Sequence, residues 1–543
     1  MLPKKLQTAF AAVVLLGFQS QAQLNIQSGA TFFMQTGAQV TVQGNVSNAG
    51  TLTNDGSLKV QGDYTNTGTY TGVGNAGVLE MNGAGNSNIT PGSSIISNLL
   101  INKTVATDVV TLTASTTVNN GFTLTNGVFT TNPLVTPAVA LISPVAAVYT
   151  FAANKEVIGS VRRTGWSNGT ARIFNQPNML VTTNAGTAPT DLTVTMIPNG
   201  DPTQTEREVK RKFGFAYTGG LGFTADVRYP YLDAELNATN TEAGLVPWKL
   251  VAAEWNARAT PVTKDAGNNW VNTTGIPAAD LLQEWKLADA NYTMNLTANL
   301  RGAWNGVSAM NTTLGTAGII PLTQPYNVTP FNYTGTESVG SIPANVVDWV
   351  LIEHRKPASG LPSDALFASI SGREAGFLLS NGTVVKLDGI TPITVAITKQ
   401  GTSYITIRHR NHLGVLSNAI ASNAAGTFTN DYTLLANSYK PAGAPSDPMV
   451  LLAGAGGKYG LWMGDGNKNG TVNATDITVI KSAVAASTTG YQFTDVNLSN
   501  SINATDVTLS KTTISQSGTG SGTTGRAALI VRKTNIPDVI IED

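Results

Sequence analysis

The sequence predicts a mostly β protein: an N-terminal β-solenoid-like region, two β-sandwich domains and a small α-helical module near the C-terminus. Three observations predict this class. Charged residues make up only 12% of the chain and glycine occurs 55 times, a composition that favours β-rich domains with many polar turns. Short apolar segments alternate with Asn, Gly and Pro turns along most of the chain. Two related loops near the C-terminus are each followed by a segment with helical spacing.

Length, charge and cysteine content exclude several classes of protein. A chain of 543 residues is too long for one hydrophobic core, which predicts several domains. The 33 Lys and Arg residues balance the 33 Asp and Glu residues, so we expect no nucleic-acid partner. The absence of cysteine excludes disulfides, thiolate metal sites and a cysteine nucleophile.

The N-terminus has the pattern of a secretory signal peptide. Lys4 and Lys5 precede an apolar run over residues 10–18, and Ser20 and Ala22 place small residues before Gln23. This pattern predicts a signal peptide over residues 1–22, cleaved near Ala22, and therefore a secreted or cell-surface protein. The alternative is a membrane anchor, but the apolar run is too short to span a bilayer. No later segment is long and apolar enough either, so we expect no transmembrane segment in the mature chain.

An internal repeat predicts the solenoid, which we place over residues 23–149. Residues 40–53 (VTVQGNVSNAGTLT) and 58–71 (LKVQGDYTNTGTYT) share seven of fourteen positions at an offset of 18. Short strands at a fixed period are typical of coils that stack and bury one face against the next. The residues expected to face inward match in pairs between the two copies: Val42 with Val60, Val46 with Tyr64, and Leu52 with Tyr70. The alternative is an ordinary β-meander.

The middle of the chain predicts two β-sandwiches, over residues 150–297 and 298–460. Both regions have alternating strands separated by Gly, Asn and Pro turns. Residues 375–389 predict a hairpin around Asn381 and Gly382, because Asn-Gly is a strong hairpin signal. Residues 461–514 form the small helical module, and residues 515–543 predict a flexible Gly/Ser/Thr linker and a short C-terminal tail.

The small module contains a twelve-residue segment written twice. Residues 465–476 read DGNKNGTVNATD and residues 495–506 read DVNLSNSINATD. Oxygen-bearing residues fall at places 1, 3, 5, 7, 9 and 12, the spacing with which a short loop surrounds calcium. The predicted ligands of the first loop are Asp465, Asn467, Asn469, the carbonyl of Thr471, Asn473 through water, and Asp476. Those of the second are Asp495, Asn497, Ser499, the carbonyl of Ser501, Asn503 and Asp506.

The two loops are unequal. Gly470 occupies the tight turn of the first loop, whereas Asn500 replaces it in the second and Ser499 replaces a stronger ligand. Each loop has only two carboxylates, which predicts micromolar or weaker affinity, with the second calcium site weaker than the first. Val472 and Ile502 stand at place 8, where we expect one loop to pack on the other. A helix should follow each loop, the second being shorter and weaker.

These residues give the module a family resemblance. The paired loops ending in Asn-Ala-Thr-Asp, each followed by a helix with a lysine (Lys481, Lys511), resemble a type I dockerin domain over residues 464–514. The resemblance implies calcium-dependent folding and binding to a cohesin-like domain, which joins proteins to scaffolds or cell surfaces. It also implies that the cohesin-reading pairs are Ala474-Thr475 and Ala504-Thr505. The alternative partner is intramolecular, with the loops stapling the preceding β-sandwich.

A second resemblance concerns the region before the loops. Residues 318–327, 346–355 and 405–417, followed by residues 459–470, resemble modules of large surface proteins of Gram-negative gliding bacteria. Those modules also precede a calcium-loop segment. The resemblance implies a surface location and no particular activity.

The sequence predicts no enzyme. It has no G-x-S-x-G elbow, Walker loop or H-E-x-x-H motif. His409 and His412 should point to opposite faces of a strand, and Glu206 and Glu208 lie among basic residues, as on a solvated edge strand.

We therefore expect a noncatalytic secreted or surface protein that uses calcium for assembly, attachment or stapling. The alternative is a carbohydrate-binding component of an extracellular polysaccharide-degrading system. In that case exposed Trp248 and Trp255 would stack on sugars.

Overall fold

The computed structural model describes residues 22–72, 76–132, 138–198, 207–236, 240–258, 261–442, 447–515, 532–533 and 535–536. The predicted signal peptide, apart from Ala22, and most of the predicted linker lie outside these residues. The chain forms two compact units. The first contains residues up to 198 with 213–227 and 275–282, and the second contains 199–212, 228–274 and residues from 283 onward. Residues 150–297 contribute to both units.

The first unit contains a β-solenoid of about six turns, which confirms the predicted architecture. Its strands pair in parallel with those one coil later. Val46 lies opposite Tyr64 and Leu52 lies opposite Tyr70, which is the offset of 18 seen in the sequence. All six predicted inward residues are buried, because every second side chain of a strand faces the coil interior. Inside the coils, Asn48 donates to the side-chain oxygen of Asn66 at 2.6 Å, so this buried amide pair is satisfied.

The elements of the first unit are mostly short strands. The solenoid strands are Leu24–Ile26, Thr31–Met34, Gln39–Val42, Val46–Asn48, Thr51–Asn54, Ser57–Val60, Tyr64–Asn66, Thr69–Thr71, Val78–Met81, Ser87–Thr90, Ile95–Asn102, Val109–Leu112, Thr116–Asn126, Val128–Thr130, Ala140–Pro144, Val148–Phe151 and Val157–Thr164. They are followed by Arg172–Ile173, Leu180–Asn184, Asp191–Pro198 and the short helix Ala278–Leu281. The strands Glu208–Thr218, Thr224–Pro230 and Trp270–Pro277 have residues in both units.

The second unit is built on a five-stranded antiparallel sheet. Its order is Val384–Val385, Ile370–Leu379, Val346–Arg355, Tyr404–Arg408 and Val415–Leu416. All ten residues of the central strand Val346–Arg355 are buried, its charged and polar side chains as well as its apolar ones. The predicted hairpin is confirmed, since Ile370–Leu379 pairs with Val384–Val385 and Gly382 takes the positive φ of 91° that such a turn requires.

The remaining elements of the second unit are short. The strands are Leu245–Val251, Glu254–Ala257, Val262–Asp265, Trp285–Asp289, Asn291–Thr297, Ile393–Ala396, Thr427–Asp431, Met449–Leu451, Tyr459–Leu461, Thr471–Val472 and Arg532–Lys533. The α-helices are Thr313–Thr316, Ala474–Ala485 and Ala504–Ser515, and the 3-10 turns are Asp233–Glu235, Glu242–Gly244, Pro362–Asp364, Phe367–Ser369 and Leu435–Asn437. No helix among the described residues is long and apolar enough to cross a membrane.

Candidate calcium-binding site

The first loop is wrapped around its two carboxylates by backbone hydrogen bonds. Asp465 accepts from the amide of Gly470 at 3.0 Å. Asp476 accepts from Asn467 at 3.1 Å and from Asn473 at 2.9 Å. Gly470 has φ of 78°, so the turn expected at place 6 is present. The first and last places of the loop therefore lie at the centre of one compact turn.

The second loop has the same geometry. Asp495 accepts from the amide of Asn500 at 2.9 Å, and Asp506 accepts from Val496 at 3.0 Å and Asn503 at 2.9 Å. Asn500 has φ of 65°, the left-handed conformation that asparagine tolerates better than most residues. The replacement of glycine therefore leaves the shape of the loop intact.

A helix begins directly after place 9 of each loop. Asn473 caps the first helix, Ala474–Ala485, by accepting from the amide of Thr475 at 2.7 Å, and Asn503 accepts from Thr505 at 2.7 Å before the second helix, Ala504–Ser515. Asparagine is a strong helix N-cap. Both helices have 12 residues, so the expectation that the second would be shorter is wrong.

The side chains of other predicted ligands make hydrogen bonds within their own loops. Asn467 accepts from the amide of Asn469 at 3.0 Å, and Asn469 accepts from Thr471 at 2.9 Å. In the second loop, Asn497 accepts from the amide of Ser499 at 3.2 Å, and the Ser499 hydroxyl donates to the carbonyl of Ser501 at 3.2 Å. All of these residues offer oxygen atoms as metal ligands, the type of ligand that calcium prefers. No group of three His, Cys, Asp or Glu side chains gathers as a metal site among the described residues, because each loop has only two carboxylates.

The loop carboxylates fit a bound cation. One carboxylate oxygen of Asp465, Oδ1, is buried and has no hydrogen-bond partner. Burial and the nearby Asp476 raise the pKa of Asp465 to about 8, and burial raises the pKa of Asp476 to about 6. Burial also raises the pKa of Asp495 and of Asp506. Buried carboxylates without a positive partner are costly, and a calcium ion would supply the missing charge.

The place-8 residues do not pair as the sequence predicts. The strand Thr471–Val472 pairs in antiparallel fashion with Arg532–Lys533 of the C-terminal segment. Val472 is fully buried in a cluster with Leu413 and Trp462. The side chain of the second loop helix that packs on this cluster is Ile514 rather than Ile502, so the predicted packing of Val472 on Ile502 is wrong.

The two histidines expected on opposite strand faces are neighbours. Their rings lie 4.8 Å apart, with 3.1 Å between the Nδ1 atoms of His409 and His412. The strand ends at Arg408, so the alternation of faces does not extend to these residues. Burial lowers the pKa of both histidines, which favours their neutral form.

Two buried glutamates of the second unit are also held by neighbouring basic side chains. Burial alone would raise the pKa of Glu353, but Arg355, Arg408 and Arg373 lower it to about 2. The nearest of these ion pairs, to Arg355, is 2.6 Å long. Glu208 is buried and pairs with Lys286, so its expected place on a solvated edge is wrong. Glu206 lies outside the described residues.

Trp248 does not offer a sugar-stacking face. It is fully buried and its indole donates to the carbonyl of Ala288 at 3.1 Å, so the expected exposure is wrong. Trp255 is partly buried, and the Nζ atom of Lys286 lies 4.0 Å from its ring centroid.

The paired loops with their following helices define the module as a calcium-binding loop–helix pair. Residues 463–523 match the family model of the dockerin type I domain, which confirms the resemblance. Dockerin domains are noncatalytic, bind calcium and bind cohesin domains. No curated protein and no solved structure matches the chain.

Proposed function

We propose that this protein is a noncatalytic, secreted or cell-surface component that attaches to a cohesin-like domain through its calcium-loaded dockerin module. The single observation that carries the proposal is the repeated loop geometry around buried carboxylates that form no ion pair among the described residues. The signal-peptide pattern at the N-terminus supports export. The proposed calcium complement is two ions, one in each loop.

The surface of the module supports a protein partner. Ala474 and Thr475 of the first loop helix and Ala504 and Thr505 of the second are exposed. Val479 is also exposed, to 39%, on the first loop helix. Small side chains beside an exposed apolar residue allow another surface to approach closely. The intramolecular and polysaccharide alternatives remain predictions; for the latter, the loss of Trp248 as a stacking residue removes one of its two candidates.

The proposal is tested by calcium titration of the full chain. We expect calcium to raise the thermal unfolding midpoint and to bind with a stoichiometry of two in calorimetry. Asp465→Asn should remove one site, because it removes a carboxylate from the first loop. Asp447→Asn is the matched control, since Asp447 is exposed and pairs with Lys440 outside the loops. No calcium binding by the full chain would overturn the calcium claim.

Binding to immobilised type I cohesin domains tests the partner. We expect retention in millimolar calcium and release by chelator. Replacing both Ala474 and Ala504 with Lys should abolish retention without changing calcium stoichiometry, because both side chains are exposed and make no hydrogen bond to a predicted ligand. Retention on the immobilised cohesin that persists in chelator, or that is unchanged by this double substitution, would contradict the proposed interface.

A further inference from the structure

A buried turn of the second unit lies against both calcium loops. Arg410, Asn411 and His412 follow the strand Tyr404–Arg408 and are each no more than 1% exposed. Such polar side chains are rarely buried unless they are hydrogen bonded. Several of their hydrogen-bond partners lie in or next to the two loops.

Asn411 contacts the first residue of each loop. Its backbone carbonyl accepts from the amides of Gly464 and Asp465, both at 3.2 Å. Its side-chain amide donates to the backbone carbonyl of Asp495 at 2.7 Å. One residue thus joins place 1 of the first loop to place 1 of the second.

The neighbouring histidine fixes the orientation of this amide. His412 accepts from the amide of Gly302 through Nε2 at 3.0 Å, so its ring proton is on Nδ1. That nitrogen lies 2.8 Å from the side-chain oxygen of Asn411 and donates to it. The nitrogen of the Asn411 side chain is consequently the atom that faces Asp495.

A buried carboxylate holds the segment before the second loop. Asp348 is fully buried and accepts from Nε of Arg410 at 2.8 Å and from the Tyr491 hydroxyl at 2.6 Å. The guanidinium of Arg410 also donates to the carbonyl of Gln492 and lies 4.1 Å from the ring centroid of Tyr491. Leu498, inside the second loop, is 2% exposed and belongs to the main core of the unit.

We propose that the turn Arg410–His412 couples the two calcium loops to each other and to the sheet, with Asn411 as the positioning residue. The proposal rests on the proposed calcium binding. The carboxylates of Asp465 and Asp495, at place 1 of each loop, can reach a calcium ion only if the backbone of these two residues is held in position. Asn411 hydrogen bonds to the backbone of both. Because coupling between sites is reciprocal, calcium binding in turn stabilises the turn.

The test is calcium binding to the full-length Asn411→Ala chain, measured by calorimetry and by thermal unfolding with calcium and with chelator. We expect affinity to fall about tenfold or more and the binding of the two ions to become independent, since the carbonyl of Asp495 and Nδ1 of His412 lose the Asn411 side chain while its backbone bonds to the first loop remain. Asn411→Gln, which retains the amide, should recover part of the affinity. Asn430→Ala is the control, a buried asparagine of the strand Thr427–Asp431; it should lower the unfolding midpoint equally in calcium and chelator.

Gly302→Ala perturbs the same contact without changing residue 411. A Cβ at Gly302 would lie 2.1 Å from the carbonyl oxygen of Val496 and 3.0 Å from the ring of His412, so it should displace the second loop and the ring that orients the Asn411 side chain, and so weaken calcium binding. Unchanged calcium affinity in both Asn411→Ala and Gly302→Ala would overturn the proposal. Absence of calcium binding in the unmodified chain would instead overturn the proposed function, so the two failures are distinguishable.

Discussion

The three histidines of the chain are all buried, and burial lowers the pKa of each, which favours the neutral form. Burial lowers the pKa of His354 to about 3, with a smaller contribution from Lys356. Its Nδ1 atom lies 2.5 Å from the hydroxyl of Ser371, and Nε2 is buried without a hydrogen-bond partner. A charged ring would therefore be costly at this position.

This burial predicts acid sensitivity. In the unfolded chain His354 is protonated near its ordinary pKa of about 6.5, whereas in the folded chain its pKa is about 3. Stability is therefore lost as pH falls through this window, with a slope of about 1.4 kcal/mol per pH unit from this group. We expect His354→Gln to reduce the slope of unfolding free energy against pH between 4 and 6, measured by urea denaturation at fixed calcium. Ser371→Ala, which keeps the ring, should keep the slope; an equal slope in His354→Gln would contradict the assignment.

At the residue scale, the sequence predicts a set of ligands for each loop, which stays a prediction, and it does not predict the residue that joins the two loops. The loop ligands lie within twelve positions of one another, and their spacing is a local property of the chain. Asn411 reaches Asp495 across 84 residues, and His412 reaches Gly302 across 110. Such contacts depend on tertiary folding and leave no local pattern. The one available signal was the unusual density of polar residues in RHRNH directly after an apolar strand.

At the scale of elements, the C-terminal segment provides a strand that the sequence did not place. Arg532–Lys533 pairs with Thr471–Val472 of the first loop. Asn535 then accepts from the amide of Leu416 at 2.8 Å and donates to the carbonyl of Tyr439, and Ile536 is fully buried. The solenoid strands were predictable because their repeat is written in the sequence, whereas this pairing joins segments separated by a long Gly/Ser/Thr stretch.

The contacts of Asn535 predict an effect of the C-terminal segment on stability. Asn535→Ala should lower the free energy of unfolding by about 2 kcal/mol, because it leaves the buried amide of Leu416 without its partner. Asn418→Ala is the matched control, since Asn418 is exposed and makes a single side-chain contact, to Ala436; it should cost about 0.5 kcal/mol or less. Denaturant unfolding in saturating calcium measures both. Equal losses in the two variants would show that the tail segment does not contribute as a docked element.

At the scale of the whole molecule, the division of the chain follows packing more than sequence order. Both compact units are assembled from separate stretches of the chain, so composition shifts along the sequence could not give their boundaries. The dockerin match and the five-stranded sheet lie within one unit. Leu498 of the second loop packs in the same core as Trp349 and Ile407 of the sheet. The module is therefore continuous with the core that precedes it.

This continuity predicts that calcium protects more than its own loops. Because Asn411 and Leu498 connect the loops to the sheet, calcium should slow amide hydrogen exchange in Tyr404–Arg408 and Val346–Arg355 as well as in residues 465–476 and 495–506. Exchange of the full chain in calcium and in chelator, resolved by peptide mass spectrometry, measures this. In Asn411→Ala, protection of the loops at saturating calcium should persist while the added protection of the two strands is lost. Protection confined to the loops in the unmodified chain would mean that the module folds independently of the sheet. If the two are coupled, calcium binding to the loops must also slow amide exchange in the strands of the sheet.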